Sequence, residues 1–427
     1  MFHLPLHHTE EHTSHIRKGK TMKVKNNKFF NNSDNEVQGD FERAVGDSNI
    51  WFSDMLYSMK SEWINKGFPI SDILIREQKP IMVASLKTYI PFRSKAIKDN
   101  FLPTKTSMLS IVSRFVDIDE SQNESIYEFS IAIYGLGVFR VSYSTDEIGA
   151  GMSIRYLSFT LPSLNSMSYP PYYEKFIKDL VSNSTVKAPF GQLTTSGIRT
   201  GGLILHVGAT GAGKSTSIAS EVGYLAEEIT GTIITYENPI EYRYIATKAP
   251  VRQYELGVNI KADESYTMFE NVKRHLLRNN PSVVVFGEAR GHDEIREVVD
   301  AAARGHLVFA TIHASTVMEA LSTLMSALKN ELHLLQHTLQ AIVAHKLEVN
   351  KKGDFVPLYE IFTPNGVVKS KIREGDLKGI ADVFISGDGL PNSVTFIKSL
   401  HNAQKEEKFT VDEVKKIKRT SYGAYAE

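Results

Sequence analysis

Gly208-Ala209-Thr210-Gly211-Ala212-Gly213-Lys214-Ser215, followed by Thr216, is the stretch that decides the fold. It fits the pattern G-x-x-x-x-G-K-[ST] in full. The spacing has a chemical reason. A triphosphate is wrapped by backbone N–H groups turned inward, and glycine takes the backbone angles this needs without a steric penalty. Lys214 then offers a mobile ammonium to the β- and γ-phosphates, and Ser215 a hydroxyl to Mg²⁺. Ala209, Thr210, Ala212 and Thr216 complete the expected ATP-contacting set. Upstream, the apolar run 202–207 reads as a short buried strand. Downstream, Ile218, Val222 and Leu225 fall at helical spacing. Strand, glycine loop and helix in that order suit the motif, because a helix N-terminus also attracts phosphate.

A chain of 427 residues suggests two or three domains. At 42% hydrophobic and 23% charged residues it has an ordinary globular composition. Forty-nine basic residues balance 49 acidic ones, so nothing global calls for a nucleic-acid partner, and none is expected. With no cysteine, disulfides, thiolate zinc sites and cysteine nucleophiles are excluded. No apolar run approaches the ~18 residues of a membrane span, so membrane association is expected to be peripheral, through a partner.

Residues 1–45 are polar and irregular and carry His3, His7, His8, His12 and His15. A metal-binding tract would need a rigid frame, so this segment is read as a disordered leader. Residues 46–165 read as a mixed α/β domain, with a hairpin of 137–143 and 151–157 around a turn at 145–150. The turn formers in 166–201 suggest a linker around a short helix at 173–181. Residues 202–370 alternate strand and helix, which implies a parallel sheet covered by helices. Residues 371–427 read as a charged, helical tail, with 411–419 a surface on which a partner could dock.

Four segments follow the glycine loop. The strand 232–236 runs into Glu237-Asn-Pro-Ile-Glu241. The apolar run 281–286 delivers Glu288 to the carboxyl edge of the sheet, where open α/β sheets bind ligands. The run 305–313 has His306 at one end and His313 at the other. Seven steps at ~3.3 Å put these histidines roughly 23 Å apart, so they cannot share an ion. His313 lies at the phosphate end and His306 at the opposite one. A helix follows at 316–328. ATP hydrolysis needs a group to polarise water near the γ-phosphate and acidic help for Mg²⁺, and Glu237 and Glu288 are both placed for such roles.

In this order the boxes resemble the secretion ATPases of type II and type IV systems, and within them the PilT, DotB and TraJ branch. The resemblance is strong over 200–345 and weaker over 67–165. It implies an α/β chain with a RecA-like P-loop domain at the C-terminal side and a smaller PAS-like α/β domain before it. It implies a cytoplasmic hexameric ring beneath inner-membrane machinery, ATP and Mg²⁺ as ligands, and hydrolysis coupled to type IV secretion or conjugal transfer. Pilus retraction and a nucleotide-gated assembly factor are the alternatives. The resemblance further implies that Glu237 polarises water, that Glu288 and Ser215 support Mg²⁺, that His313 touches the γ-phosphate, and that Arg140 and Arg155 stabilise charge at the nucleotide. The chain departs from the branch in four places: Asn238 stands where Asp is usual, Gly291 follows Arg290 where Asp is usual, Asn279 and Asn280 replace acidic residues before Pro281, and the Ile372-Arg-Glu-Gly375 region lacks the retraction motif Ala-Ile-Arg-Asn-Leu.

Overall fold

The computed structural model describes residues 13–16, 20–23, 29–30, 41, 44–66, 70, 72–85, 88–98, 100–116, 118, 126–133, 136–157, 160–188, 191–244, 247–263, 265–387 and 390–422. His3, His7, His8 and His12 of the leader lie outside them. The chain divides into two compact units, Met1–Thr160 and Leu161–Glu427.

In the first unit, β1 (Thr13–Ile16) and β2 (Lys20–Lys23) pair as an antiparallel ribbon. The main sheet comprises β3 (Phe29–Phe30), β4 (Asp72–Arg76), β5 (Met82–Ser85), β6 (Thr88–Pro91), β7 (Tyr127–Ile133), β8 (Gly137–Asp146) and β9 (Gly149–Leu157). Its order is β3-β7-β8-β9-β4-β5-β6, antiparallel throughout except for β3 beside β7. Every second residue of β7 points inward, so Tyr127, Phe129, Ile131 and Ile133 enter the core. The helices Ile50–Ser58 and Lys105–Phe115 cover that face with Phe52, Met55, Ile111 and Val112. Where a six-residue turn is expected between β8 and β9, the ladder instead continues to Asp146↔Gly149. Asp146 closes the tight turn by accepting the Ile148 N–H at 2.8 Å, and Gly149 takes φ 133°.

The second unit opens with the 3-10 turn Leu164–Met167, the helix Pro171–Asp179, and a hairpin of β10 (Val181–Ala188) and β11 (Gly191–Ile198). This is the segment that sequence reads as linker. Leu164, Tyr169, Tyr173 and Ile177 are buried in the core of this unit. The central sheet holds β12 (Gly202–Gly208), β13 (Ile233–Glu237), β14 (Val251–Glu255), β15 (Val283–Ala289), β16 (Leu307–Ile312), β17 (Leu339–Val349) and β18 (Phe355–Phe362). Its order is β14-β13-β15-β16-β12-β17-β18, parallel except for β17 against β18.

All seven residues of β12 and all six of β16 are buried. Burial on both faces explains why these strands read as largely apolar runs, interrupted only by His206 in β12 and Thr311 in β16. Leu203, Leu205 and Val207 face one layer, with the helices His292–Ala303 and Val317–Ala327. Ile204 faces the other, with Ile218, Val222 and Leu225 of the helix Lys214–Glu228. The C-terminal helices Gly366–Glu374, Leu377–Ser386, Phe396–Lys405 and Val411–Tyr422 bring Ile372, Ile380, Leu400 and Val414 into the first layer. They therefore complete the core of the sheet unit.

No helix among the described residues is long and apolar enough to cross a membrane.

Candidate active site

The glycine loop joins β12 to the helix Lys214–Glu228. Gly208 has φ 141°, and a Cβ placed there would lie 2.6 Å from the His345 carbonyl oxygen. Only glycine fits that approach, because both angle and space exclude a side chain. Gly208 N–H donates to the Ala314 carbonyl at 2.7 Å, pinning the loop to the end of β16. Gly213, at φ 99°, is the N-cap of the helix and supplies no side-chain cap. The first-turn N–H groups and the helix dipole are therefore presented at the loop, which suits a phosphate. Lys214 Nζ donates to the carbonyls of Gly208 at 2.7 Å and Ala209 at 3.1 Å. Burial pulls its ammonium below the ordinary range, opposed by the charges of Glu288 and Glu241. The same balance places those carboxylates within electrostatic reach of Lys214.

Glu288, on β15, is gripped from two sides. Its Oε1 lies 2.7 Å from His313 Nε2, and its Oε2 accepts from Arg290 Nε at 2.6 Å. Thr311 Oγ1 donates to the Gly287 carbonyl at 2.6 Å, which ties this end of β15 to β16. Glu288 and His313 thus meet at the carboxyl edge, as their strand ends imply. Gly287 lets β15 pass close to β13, since a Cβ there would sit 3.1 Å from Glu237 Cα.

Glu237 ends β13 and is partly buried. Burial pushes its carboxyl above the ordinary carboxylate range, opposed by hydrogen bonds from Thr235 and Gln253. Thr235 Oγ1 donates to Glu237 Oε1 at 2.6 Å, and Gln253 Nε2 donates to the same oxygen at 3.2 Å. The Asn238–Pro239 peptide that follows is cis, and the chain then turns through Glu241 to Tyr242. The Tyr242 hydroxyl is 2.9 Å from Thr216 Oγ1, linking the acidic loop to the phosphate-loop helix.

His306 sits at the far end of β16, buried, with Nδ1 2.6 Å from the Pro281 carbonyl oxygen. Among the described residues, no group of three His, Asp or Glu side chains could hold a metal by itself. Ser215 and Glu288 offer a hydroxyl and a carboxylate, the hard oxygen donors that suit a Mg²⁺ ion sharing its shell with phosphate. Arg140 and Arg155 belong to the first unit and are direct partners across β8 and β9. Arg155 Nε also pairs with Asp72 Oδ1 at 3.0 Å.

Three residues around the site escape a reading of motifs. Gln253 and Tyr242 are ordinary polar residues in sequence, and only the pairing of β13 with β14 brings Gln253 to Glu237. His206 left a fainter sign: it is a lone polar residue inside an apolar strand, and such a group needs a partner.

Residues 177–372 match the family described as "Type II/IV secretion system protein". The match begins inside the helix Pro171–Asp179, ahead of β12. Over 280 residues the chain is 30% identical to the type IV pilus ATPase PilU of Pseudomonas aeruginosa, covering 64% of this chain and 66% of PilU. Among solved structures, the pilus retraction motor PilT with bound ADP aligns at TM-score 0.66 and 24% identity, over 88% of this chain and 99% of that one. The Legionella pneumophila ATPase DotB aligns at TM-score 0.67 and 21% identity, over 86% of this chain and 95% of that one. These likenesses establish the fold as α/β with a RecA-like core.

Proposed function

Because the chain belongs to the type II/IV secretion ATPase family, we propose that it is the hexameric motor subunit of a type IV secretion or conjugal transfer apparatus, docked on inner-membrane machinery from the cytoplasmic side. The observation that carries the catalytic part is the convergence of Lys214, Glu288, His313 and Glu237 at the carboxyl edge of one parallel sheet. Lys214 and the loop N–H groups bind and orient the β- and γ-phosphates. Ser215 and Glu288 would hold Mg²⁺, which would offset the charge of the phosphate oxygens. Glu237, made more basic by burial, draws a proton from the attacking water. His313, held on Glu288, is the γ-phosphate contact. Arg140 and Arg155 of the smaller, PAS-like unit stabilise the charge that develops in transfer.

Glu288→Gln tests this reading. It should bind ATP as the parent does and lose most turnover, and normal turnover in the variant overturns the assignment.

A second reading, pilus retraction, is supported by the similarity to PilU. It differs in the machine served, not in the chemistry. Deletion of the gene followed by parallel assays of twitching motility and of DNA or protein transfer separates the two.

A further inference from the structure

Gln253 stands on the edge strand β14, directly opposite Thr235 of β13. Its side-chain amide makes three bonds in one small space. Nε2 donates to Glu237 Oε1 at 3.2 Å and to the Tyr242 carbonyl at 2.7 Å, and Oε1 accepts the Tyr244 N–H at 3.3 Å. The amide has two N–H groups and both are used. The orientation is unambiguous, because the flipped amide would set its oxygen against a carboxylate and a carbonyl. Tyr242 is in turn joined through its hydroxyl to Thr216 of the phosphate-loop helix. One side chain on the sheet edge thus holds both ends of the segment 237–244, which bears Glu237 and Glu241 and leans on the nucleotide loop.

We propose that Gln253 is a positioning residue for hydrolysis: its amide fixes the Glu237 carboxylate, both directly and by holding the loop that follows it at the Tyr242 carbonyl and the Tyr244 N–H. The proposal rests on the reading of Glu237 as the water-polarising group. With Thr235 and Gln253 both donating to one oxygen, the carboxyl plane of Glu237 is set before nucleotide arrives. Thr235 and Gln253 are partners in the β13–β14 ladder and donate to the same Glu237 oxygen, so removing Gln253 leaves Glu237 with the Thr235 bond alone, while the Lys214 bonds to the loop carbonyls do not involve it. A misplacement on the order of 1 Å in such a group costs about 10²-fold in rate.

The test uses the full chain. Gln253→Glu is isosteric and keeps the bond from Tyr244 but cannot donate to Glu237 or Tyr242. Gln253→Leu removes all three bonds. Both should lower kcat by ~10- to 100-fold, with the ATP KM and ATP affinity within about twofold of the parent. In a Glu237→Gln background, Gln253→Glu should cost nothing further, because the residue acts through Glu237. Normal kcat in Gln253→Glu, a raised KM at unchanged kcat, or losses that multiply in the double variant would each overturn the proposal. If Gln253→Leu fails to fold, Gln253→Glu still decides. Normal turnover in Glu237→Gln alone would instead remove the premise, and the proposal with it.

Discussion

His206 Nε2 lies 3.1 Å from Glu221 Oε2, and both side chains are wholly shielded from solvent. The pair sits beneath the nucleotide loop, with His206 two residues before Gly208 and Glu221 in the helix that the loop begins. Tyr169 donates to the other carboxylate oxygen at 2.6 Å, and His345 Nε2 is 2.9 Å from His206 Nδ1. A buried carboxylate is tolerated only with its partners in place. Removing one partner leaves the other uncompensated, at about 3–5 kcal/mol. His206→Ala should therefore unfold at much lower denaturant than the parent, by an amount in that range, measured by urea titration. A change under about 1 kcal/mol would overturn this account of the buried pair.

The same network gives the fold a pH dependence. Burial, then the neighbouring His206 and Lys214, hold the His345 ring well below its ordinary value. In the unfolded chain that ring takes up a proton near pH 6.5, whereas in the fold it stays neutral to much lower pH. Below about pH 6.5 the unfolded state thus holds more protons, and stability falls as pH falls. The expected loss approaches about 1.4 kcal/mol per pH unit below that point. His345→Gln should flatten the fall in Tm between pH 7 and pH 5, and an unchanged slope would reject His345 as its source.

These groups show how far sequence reaches. The loop, its strand and helix, and the ends of β13, β15 and β16 are legible because each is a local pattern, with apolar runs bounded by glycine or acid. Glu288 and His313 meet because parallel strands deliver their ends to one edge. The hairpin of β10 and β11 is not legible, since its Ser- and Thr-rich strands resemble a linker and become strands only by pairing with each other. The contacts of His206 with His345 and of Tyr169 with Glu221 span 139 and 52 residues, distances over which local periodicity carries no information.

Gly208→Ala should abolish nucleotide binding. The substitution would force an alanine into φ 141° and drive its Cβ against the His345 backbone. The loop has to shift, and with it the N–H groups meant for phosphate. Fluorescent-nucleotide titration should show no saturable binding, whereas Gly291→Ala, with open space around its Cβ and no positive φ, should bind as the parent does. Equal affinity in both variants would overturn the steric argument.

Arg155 separates structure from catalysis in the smaller unit. Its ion pair with Asp72 is exposed on the arginine side, with 56% of that side chain accessible, so the pair contributes no more than ~1 kcal/mol. Arg155→Gln should leave the Tm within a few degrees. If the guanidinium stabilises charge at the nucleotide, the same variant loses ~10³-fold in kcat. Full activity with an unchanged Tm would restrict Arg155 to pairing with Asp72.

The C-terminal segment decides between a detachable tail and a structural one. If the tail served only to dock on a partner, residues beyond 388 could be removed without harm to ATP turnover. In the structure, Leu390, Phe396, Leu400, Phe409, Val414 and Ile417 are buried in the layer that also holds Val317 and Leu321. Burying each such side chain contributes about 1.5–3 kcal/mol, so truncation after residue 388 strips away more than a typical margin of stability. The truncated chain should be insoluble or unfolded by circular dichroism. Leu400→Ala alone, at a position with no solvent exposure, should cost about 2–5 kcal/mol. A soluble truncated chain with parental ATPase activity would show that the helices Phe396–Lys405 and Val411–Tyr422 are an appendage, and would return them to the role of a docking surface.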